Sequence, residues 1–185
     1  TSSIATISAV TSCGVLTPEQ FNFNFDDDDH DGWSTSSTGA IADCWDVQMQ
    51  STSTAIPYVT GGVNGKQSDD YSLAMGYIIG TRDVITPIVN IPEDGDYVLN
   101  VDFYNSVSSS WDDSLAVYVN TMPTVDGATV LLAPTNTKNV SNGAWVTLRY
   151  PVEMTGNVYF ILRQIGDNGY AFYYDNLMLE ERLHC

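Results

Sequence analysis

Residues 21–33 read FNFNFDDDDHDGW, so Asp26 to Asp29 and Asp31 place five carboxylates within six positions, directly behind an alternating aromatic strand. Without a compensating cation their mutual repulsion should push the loop open. Asp27-x-Asp29-x-Asp31-Gly32 matches the first half of a calcium loop, in which alternate side chains converge and a glycine permits the sharp turn. An EF-hand would carry a glutamate at the twelfth position, which is Thr38 here, and no helical pattern flanks the run. The spacing therefore predicts a Ca2+ site of another kind, with Asp27, Asp29 and Asp31 first and Asp26 and Asp28 next. The alternative is a solvated acidic turn. Mg2+ suits this loop less well, because carboxylates and carbonyls form a larger, more adaptable oxygen cage.

A second acidic pair, Asp112-Asp113, follows Trp111 in the serine-rich stretch NSVSSSWDDS. It offers a cation site, a glycan-contact loop or a solvated turn. Catalytic patterns are missing: the two histidines are His30, inside the acidic run, and His184, and there is no GxSxG, HExxH, Walker or GxGxxG pattern. Aspartates crowded in one loop raise each other's proton affinity without creating separate acid and base roles. The expectation is a protein that is not an enzyme.

The elements that must position these residues are strands. In DYVLNVDFYN, Tyr97, Leu99, Val101 and Phe103 alternate with Val98, Asn100, Asp102 and Tyr104. SLAVYVNT and NVYFILRQI alternate in the same way, and YAFYYDNLMLE follows the turn GDNG. Gly61-Gly62, Pro92 to Gly95, Asp126-Gly127 and Asn142-Gly143 punctuate the runs. Many short strands and no sustained 3.6-residue period predict an all-β fold, an antiparallel jelly-roll β-sandwich or an Ig-like sandwich.

Composition narrows the partners. The chain has 185 residues, 43% of them apolar, with eleven tyrosines and four tryptophans, which suits one domain with a proper core. Six lysines and arginines face twenty-three acids, a formal charge of -17. Nucleic acid and anionic membranes need basic patches, so both are poor partners for this chain. No stretch approaches the roughly 20 apolar residues of a membrane span. A start at Thr1, with abundant Ser, Thr, Asn and Tyr, reads as a secreted, mature, cell-surface chain. Asn139-Val140-Ser141 matches an N-glycosylation acceptor.

The cysteines are Cys13, Cys44 and Cys185. With no CxxC pair, a zinc or redox centre is not expected. One internal disulfide with a buried free thiol is the plainer arrangement; a Cys13–Cys185 bridge would instead tether the two ends or join neighbouring chains.

The order of the runs adds a resemblance. Val84-Ile85-Thr86-Pro87, then Val117-Tyr118-Val119, then Tyr159 to Arg163, and finally Tyr174-Asp175-Asn176-Leu177 resemble the cleaved-adhesin and MAM-like jelly rolls of secreted bacterial surface proteins. The likeness spans roughly residues 21–180. It implies a non-catalytic, calcium-stabilised module of adhesins or multidomain surface proteins, and it nominates Asp175 as a further Ca2+ ligand. The chain departs from that pattern at Asn176, where a second acid is usual.

Residues 1–18, TSSIATISAVTSCGVLTP, carry no charge, although the remainder is heavily acidic. They read as an extended N-terminal arm ahead of a jelly-roll domain over 19–185. The arm, with Ile4, Ile7 and Val10, is either an edge strand of its own domain or a strand donated to a neighbour's sheet. Repeated head to tail, donation gives a filament. The leading expectation is thus a calcium-stabilised structural or adhesive subunit of a surface homopolymer. The alternative is a carbohydrate-binding module of a secreted multidomain protein, with a glycan or host-surface ligand. Trp33, Trp45, Trp111, Trp145, Tyr58, Tyr77 and Tyr104 are its stacking candidates, and Trp111 with Asp112 and Asp113 leads them. Trp145 alternates with Thr147 and Arg149, which predicts an outward face.

Overall fold

Alternation builds the sandwich as the sequence predicts. Along Tyr97–Asn105 (β7), Leu99, Val101 and Phe103 are fully buried, while Asp102 and Tyr104 on the other face are half-buried. The same period of two governs each half of Phe172–Glu181 (β12), with Phe172 and Tyr174 inward before a bulge and Leu177 and Leu179 inward after it. The structure, a computed structural model, describes residues 13–106, 113–167 and 171–183.

The remaining strands are Asn22–Phe23 (β1), Asp46–Ser51 (β2), Tyr58–Gly61 (β3), Tyr71–Met75 (β4), Ile79–Ile85 (β5), Val89–Ile91 (β6), Ser114–Asn120 (β8), Thr129–Asn136 (β9), Val146–Val152 (β10) and Gly156–Asp167 (β11). They form two antiparallel sheets. The front sheet has the order β10-β7-β12-β4-β3, with β1 also paired to β12; the back sheet has the order β2-β5-β11-β8-β9, with β6 also paired to β11. One short helix, Thr137–Val140 (α1), lies between β9 and β10. The fold is a jelly-roll β-sandwich.

Between the sheets lies one main apolar core. Its aromatic part runs from Phe21, Phe23 and Phe160 through Trp45 to Trp33 on one side, and through Phe103, Phe172 and Tyr174 on the other. Trp33 and Trp45 are therefore core residues, which removes two of the expected sugar-stacking candidates. Fully burying each such ring contributes about 1.5–3 kcal/mol.

A buried cation also helps to join the layers. Arg82 on β5 is fully buried, and its guanidinium donates to the carbonyls of Ala55 and Gly76 and to Oε1 of Gln164. Ala55 lies in the crossover from β2 to β3, and Gly76 in the crossover from β4 to β5. One side chain thus ties together two connections between the sheets. Burial lowers its pKa to about 10, which still leaves it charged at neutral pH.

At the N-terminal end Cys13 is bonded to Cys44. Of the two arrangements the sequence leaves open, this is the internal disulfide and not a Cys13–Cys185 bridge; Cys185 itself lies outside the described residues. Leu16 donates to the Ile88 carbonyl and accepts from Asn90, forming a parallel bridge with Val89. Residues 13–18, grouped with the arm by their lack of charge, are therefore docked on the sandwich. Ile4, Ile7 and Val10 lie outside the described residues.

Candidate functional site

The register of the front sheet sets aromatic side chains in a row across its outer face. Tyr104 on β7 is opposite Tyr173 on β12, Tyr173 is opposite Ala74 on β4, and Ala74 is opposite Tyr58 on β3. Their neighbours Phe103, Tyr174, Leu73 and Val59 point into the core, so alternation sends this row outward. Tyr58, Tyr104 and Tyr173 are half-buried, and fully buried Ala74 forms the floor between Tyr58 and Tyr173. Trp145, immediately before β10, extends the row at its other end. Its ring centre lies 5.4 Å from that of Tyr104 at 31°, and Tyr104 lies 5.8 Å from Tyr173 at 30°. Burial raises the Tyr173 hydroxyl's pKa, and the neighbouring Tyr58 and Tyr104 hydroxyls add to this.

A polar row runs beside the aromatic one, displaced by two residues along the strands. Thr147 on β10 is opposite Asp102 on β7, and Asp102 is opposite Asp175 on β12. Thr147 Oγ1 donates to Asp102 Oδ1 at 2.6 Å, and Asn176 Nδ2 donates to Asp102 Oδ2 at 2.9 Å. Asn176 reaches that position because the β7–β12 pairing shifts register after Asp175; its φ of 47° marks the bulge. Ser72 and Thr60, themselves paired, continue the outer face toward β3, and the Ser72 hydroxyl is buried with no hydrogen-bond partner.

The loop between β3 and β4 folds over one side of this face. Its Lys66 ammonium pairs with Asp175 and with Asp70 (3.2 Å), and it sits 4.1 Å from the ring centre of Trp145. Trp145 Nε1 donates to the Val63 carbonyl at 3.3 Å. Burial pushes the Asp175 carboxyl up to about 7, an effect that Lys66 and the Asn176 amide only partly offset. Lys66 is in turn held above its ordinary value by its hydrogen bonds to Asp175 and Asp70, against the opposing effect of burial.

The opening aspartate run follows β1 and reaches the start of β4, both of which pair with β12 on the side away from β7. Asp27, Asp28 and Asp29 are exposed. Asp31 Oδ2 accepts from the Phe25 amide at 2.9 Å, and Asp26 Oδ1 accepts from the Tyr71 amide at 2.7 Å. His30 donates through Nδ1 to the Phe25 carbonyl and packs on Tyr71 with ring centres 4.1 Å apart. Phe25, His30 and Asp31 all adopt positive φ (61°, 51° and 54°), which turns the loop tightly. Burial raises the Asp31 pKa, opposed by the Phe25 amide and reinforced by Asp27, Asp29 and Asp26. Among the described residues, no three His, Cys, Asp or Glu side chains form a group that could hold a metal ion. Asp175, nominated by family likeness, pairs with Lys66.

Trp111 and Asp112 lie outside the described residues. Asp113 is buried: its Oδ1 accepts from the Asp167 amide at 2.9 Å and its carbonyl from Thr137, so it anchors loops rather than facing solvent. Asn139 is exposed on α1. Trp145 lies on the outer face, as its alternation with Thr147 predicts. Tyr173 and Lys66 escaped the sequence reading, because only the pairing of distant strands brings them together.

No protein-family model matches the sequence, and no curated protein matches it either. Solved structures do match. One is the K1 cleaved adhesin domain of Lys-gingipain from Porphyromonas gingivalis W83, with a TM-score of 0.57 and 12% identity over 80% of this chain and 96% of that one. The K3 domain of the same protein gives 0.52 at 12% identity, over 78% and 94%. TmCBM61, solved with β-1,4-galactotriose, gives 0.51 at 15% identity, over 76% and 90%. At such identities the likeness is one of fold: this chain carries the jelly roll shared by cleaved adhesin domains and a carbohydrate-binding module.

Proposed function

We propose that this chain is an extracellular, non-catalytic carbohydrate-binding module that takes a neutral glycan across the outer face of its front sheet. The observation that carries this reading is the in-register row of Tyr58, Tyr173, Tyr104 and Trp145. Aromatic faces pack against the C–H groups of a sugar ring, and fixed polar groups alongside select its hydroxyls. Asp102, Asn176 and Thr147, beside the Lys66–Asp175 ion pair, supply both acceptors and donors. Two of these five are carboxylates against one cation, and the chain as a whole is strongly anionic. Neutral sugars therefore suit the face better than uronic or sulfated ones.

The rigidity of the platform favours binding, since little side-chain freedom is lost when the rings are already packed against one another. Direct titration of the full chain tests the reading. β-1,4-Galactotriose, the ligand in the TmCBM61 structure, is the first probe, followed by neutral β-linked xylo- and gluco-oligosaccharides. Measurable affinity that falls at least tenfold in Tyr173→Ala, with the melting temperature kept, supports it. No affinity for any neutral oligosaccharide rejects it.

Calcium belongs to the proposal only as a stabiliser of the 26–31 turn. Four exposed carboxylates, Asp26 to Asp29, and the two positive-φ residues His30 and Asp31 there would gain from a divalent cation. Asp175 has no part in that role. A melting temperature raised by Ca2+ and lowered again by EDTA is the expected result; an unchanged melt returns Asp27, Asp29 and Asp31 to the solvated turn.

A further inference from the structure

The aromatic row divides the outer face of the front sheet into two unlike halves. On one side, two residues along from Tyr104, Tyr173, Ala74 and Tyr58, come Ser106, Ala171, Gly76 and Ile56. These are short or apolar, and the Ser106 hydroxyl already donates to the Ala171 carbonyl. On the other side lie two polar rows. The nearer, about 7 Å away along the strands, holds Thr147, Asp102 and Asn176. In the farther one Arg149 on β10 is opposite Asn100 on β7, and Asn100 is opposite Met178 on β12.

Only part of this polar half is open. Lys66 and its loop close over Asp175, whereas Thr147, Asn176 and Arg149 are exposed toward the Trp145 end. Arg149 Nη1 lies 3.1 Å from Glu180 Oε2, and the same oxygen accepts from Asn100 Nδ2 at 2.6 Å. Asn100 itself is 6% exposed, and its Oδ1 has no hydrogen-bond partner among the described residues. Buried acceptors are nearly always paired, so this one calls for a donor. Arg149 and Glu180 beside it are about half exposed and can part to let a hydroxyl reach it.

We propose that Thr147, Asn176, Arg149 and Asn100, with the carboxylates Asp102 and Glu180, form a subsite for a single neutral sugar branch, carried by a glycan whose backbone lies on the aromatic row. The inference rests on the reading of that row as a glycan platform. The row crosses four strand spacings, about 19 Å, so the backbone runs across the strands and a substituent directed along them leaves it sideways. Donors and acceptors stand on one side of the row only, which fixes the direction of the branch. The Lys66 loop closes that side over β12 and β4, which places the branch beside Tyr104 and Trp145. There a sugar over Thr147, Asp102 and Asn176 meets Arg149 and Asn100 at its far edge. Two carboxylates stand against one cation in the subsite, so the branch it suits carries no acid group.

Calorimetric titration of the full chain with matched pairs of oligosaccharides tests this. The pairs are mannotriose with and without a 6-linked α-galactose, cellotetraose with and without 6-linked α-xylose, and xylotriose with and without a 3-linked α-arabinofuranose. In at least one pair the substituted member should bind at least about tenfold more tightly than the linear one. In Arg149→Ala, with the melting temperature kept, the two affinities should come together. A second measurement needs no substitution: the side-chain amide protons of Asn100 should shift in nuclear magnetic resonance spectra with the substituted member and stay still with the linear one. Equal affinities within every pair that binds overturn the branch subsite and leave the aromatic platform standing. So does tighter binding of a substituted member that leaves Asn100 unmoved. The absence of binding by any of these sugars rejects both.

Discussion

Lys66 and Asp175, 109 residues apart, form an ion pair on the outer face of the front sheet, in which the carboxylate is 1% exposed and the lysine side chain 15%. Removing one partner of a buried pair leaves an uncompensated charge, which costs about 3–5 kcal/mol. Lys66→Met should therefore destabilise the fold by about 3 kcal/mol at pH 8. At pH 5 the loss should be smaller, because Asp175 can then take up a proton. Chemical denaturation at the two pH values checks this, and equal losses at both would contradict it.

The same carboxyl fixes a pH dependence. Its pKa rises on folding from the ordinary 3.8 to about 7, so the folded chain binds the proton more tightly than the unfolded one. The stability that Asp175 contributes is full below 3.8 and is lost as pH rises to 7. Asp175→Asn has no such proton to lose. Between pH 4 and 7 its melting temperature should fall less steeply than that of the wild type, and parallel slopes would reject the assignment.

Arg82 holds two crossovers from inside the sandwich, and one of them ends at Tyr58. Arg82→Ala removes three hydrogen bonds and takes the donor from the Ala55 carbonyl and from Gln164 Oε1, while the Gly76 carbonyl keeps Gln164 Nε2. The expected loss is about 3–5 kcal/mol in thermal or urea unfolding. Sugar affinity should fall as well, because the crossover that Arg82 holds at Ala55 leads directly into Tyr58. A variant as stable as the wild type would mean that the crossovers hold themselves.

The Cys13–Cys44 bond closes a loop with a sequence separation of 31. In the chain-entropy account a loop of that size stabilises by about 4 kcal/mol. Cys13→Ser with Cys44→Ser should lower the denaturation midpoint accordingly. The slope with denaturant should change too, since the unfolded chain becomes less compact.

Much of the fold is legible in the sequence because alternation is local: Leu99, Val101 and Phe103 declare their face within seven residues. Trp145 declares its face in the same way. The binding face is less legible because it is built across strands. Tyr58, Ala74, Tyr173 and Tyr104 come from four strands, and their alignment depends on registers that no single segment encodes. The aspartate run attracts attention through its density, yet Asp26 and Asp31 turn to nearby backbone amides. Lys66 sits in the turn GGVNGKQSDD, where nothing local marks it as the partner of Asp175. Arg82 shares parity with Val84 on β5, and that alternation alone assigns it to the interior.

The most direct measurement is a nuclear magnetic resonance titration of the full chain with neutral β-linked oligosaccharides, observing the tyrosine and tryptophan rings. The account predicts that Tyr58, Tyr104, Tyr173 and Trp145 shift together along one binding curve while Trp33 and Trp45 stay still. Saturable binding that leaves those four rings unmoved and shifts Trp111 instead would contradict it, placing the sugar at Trp111.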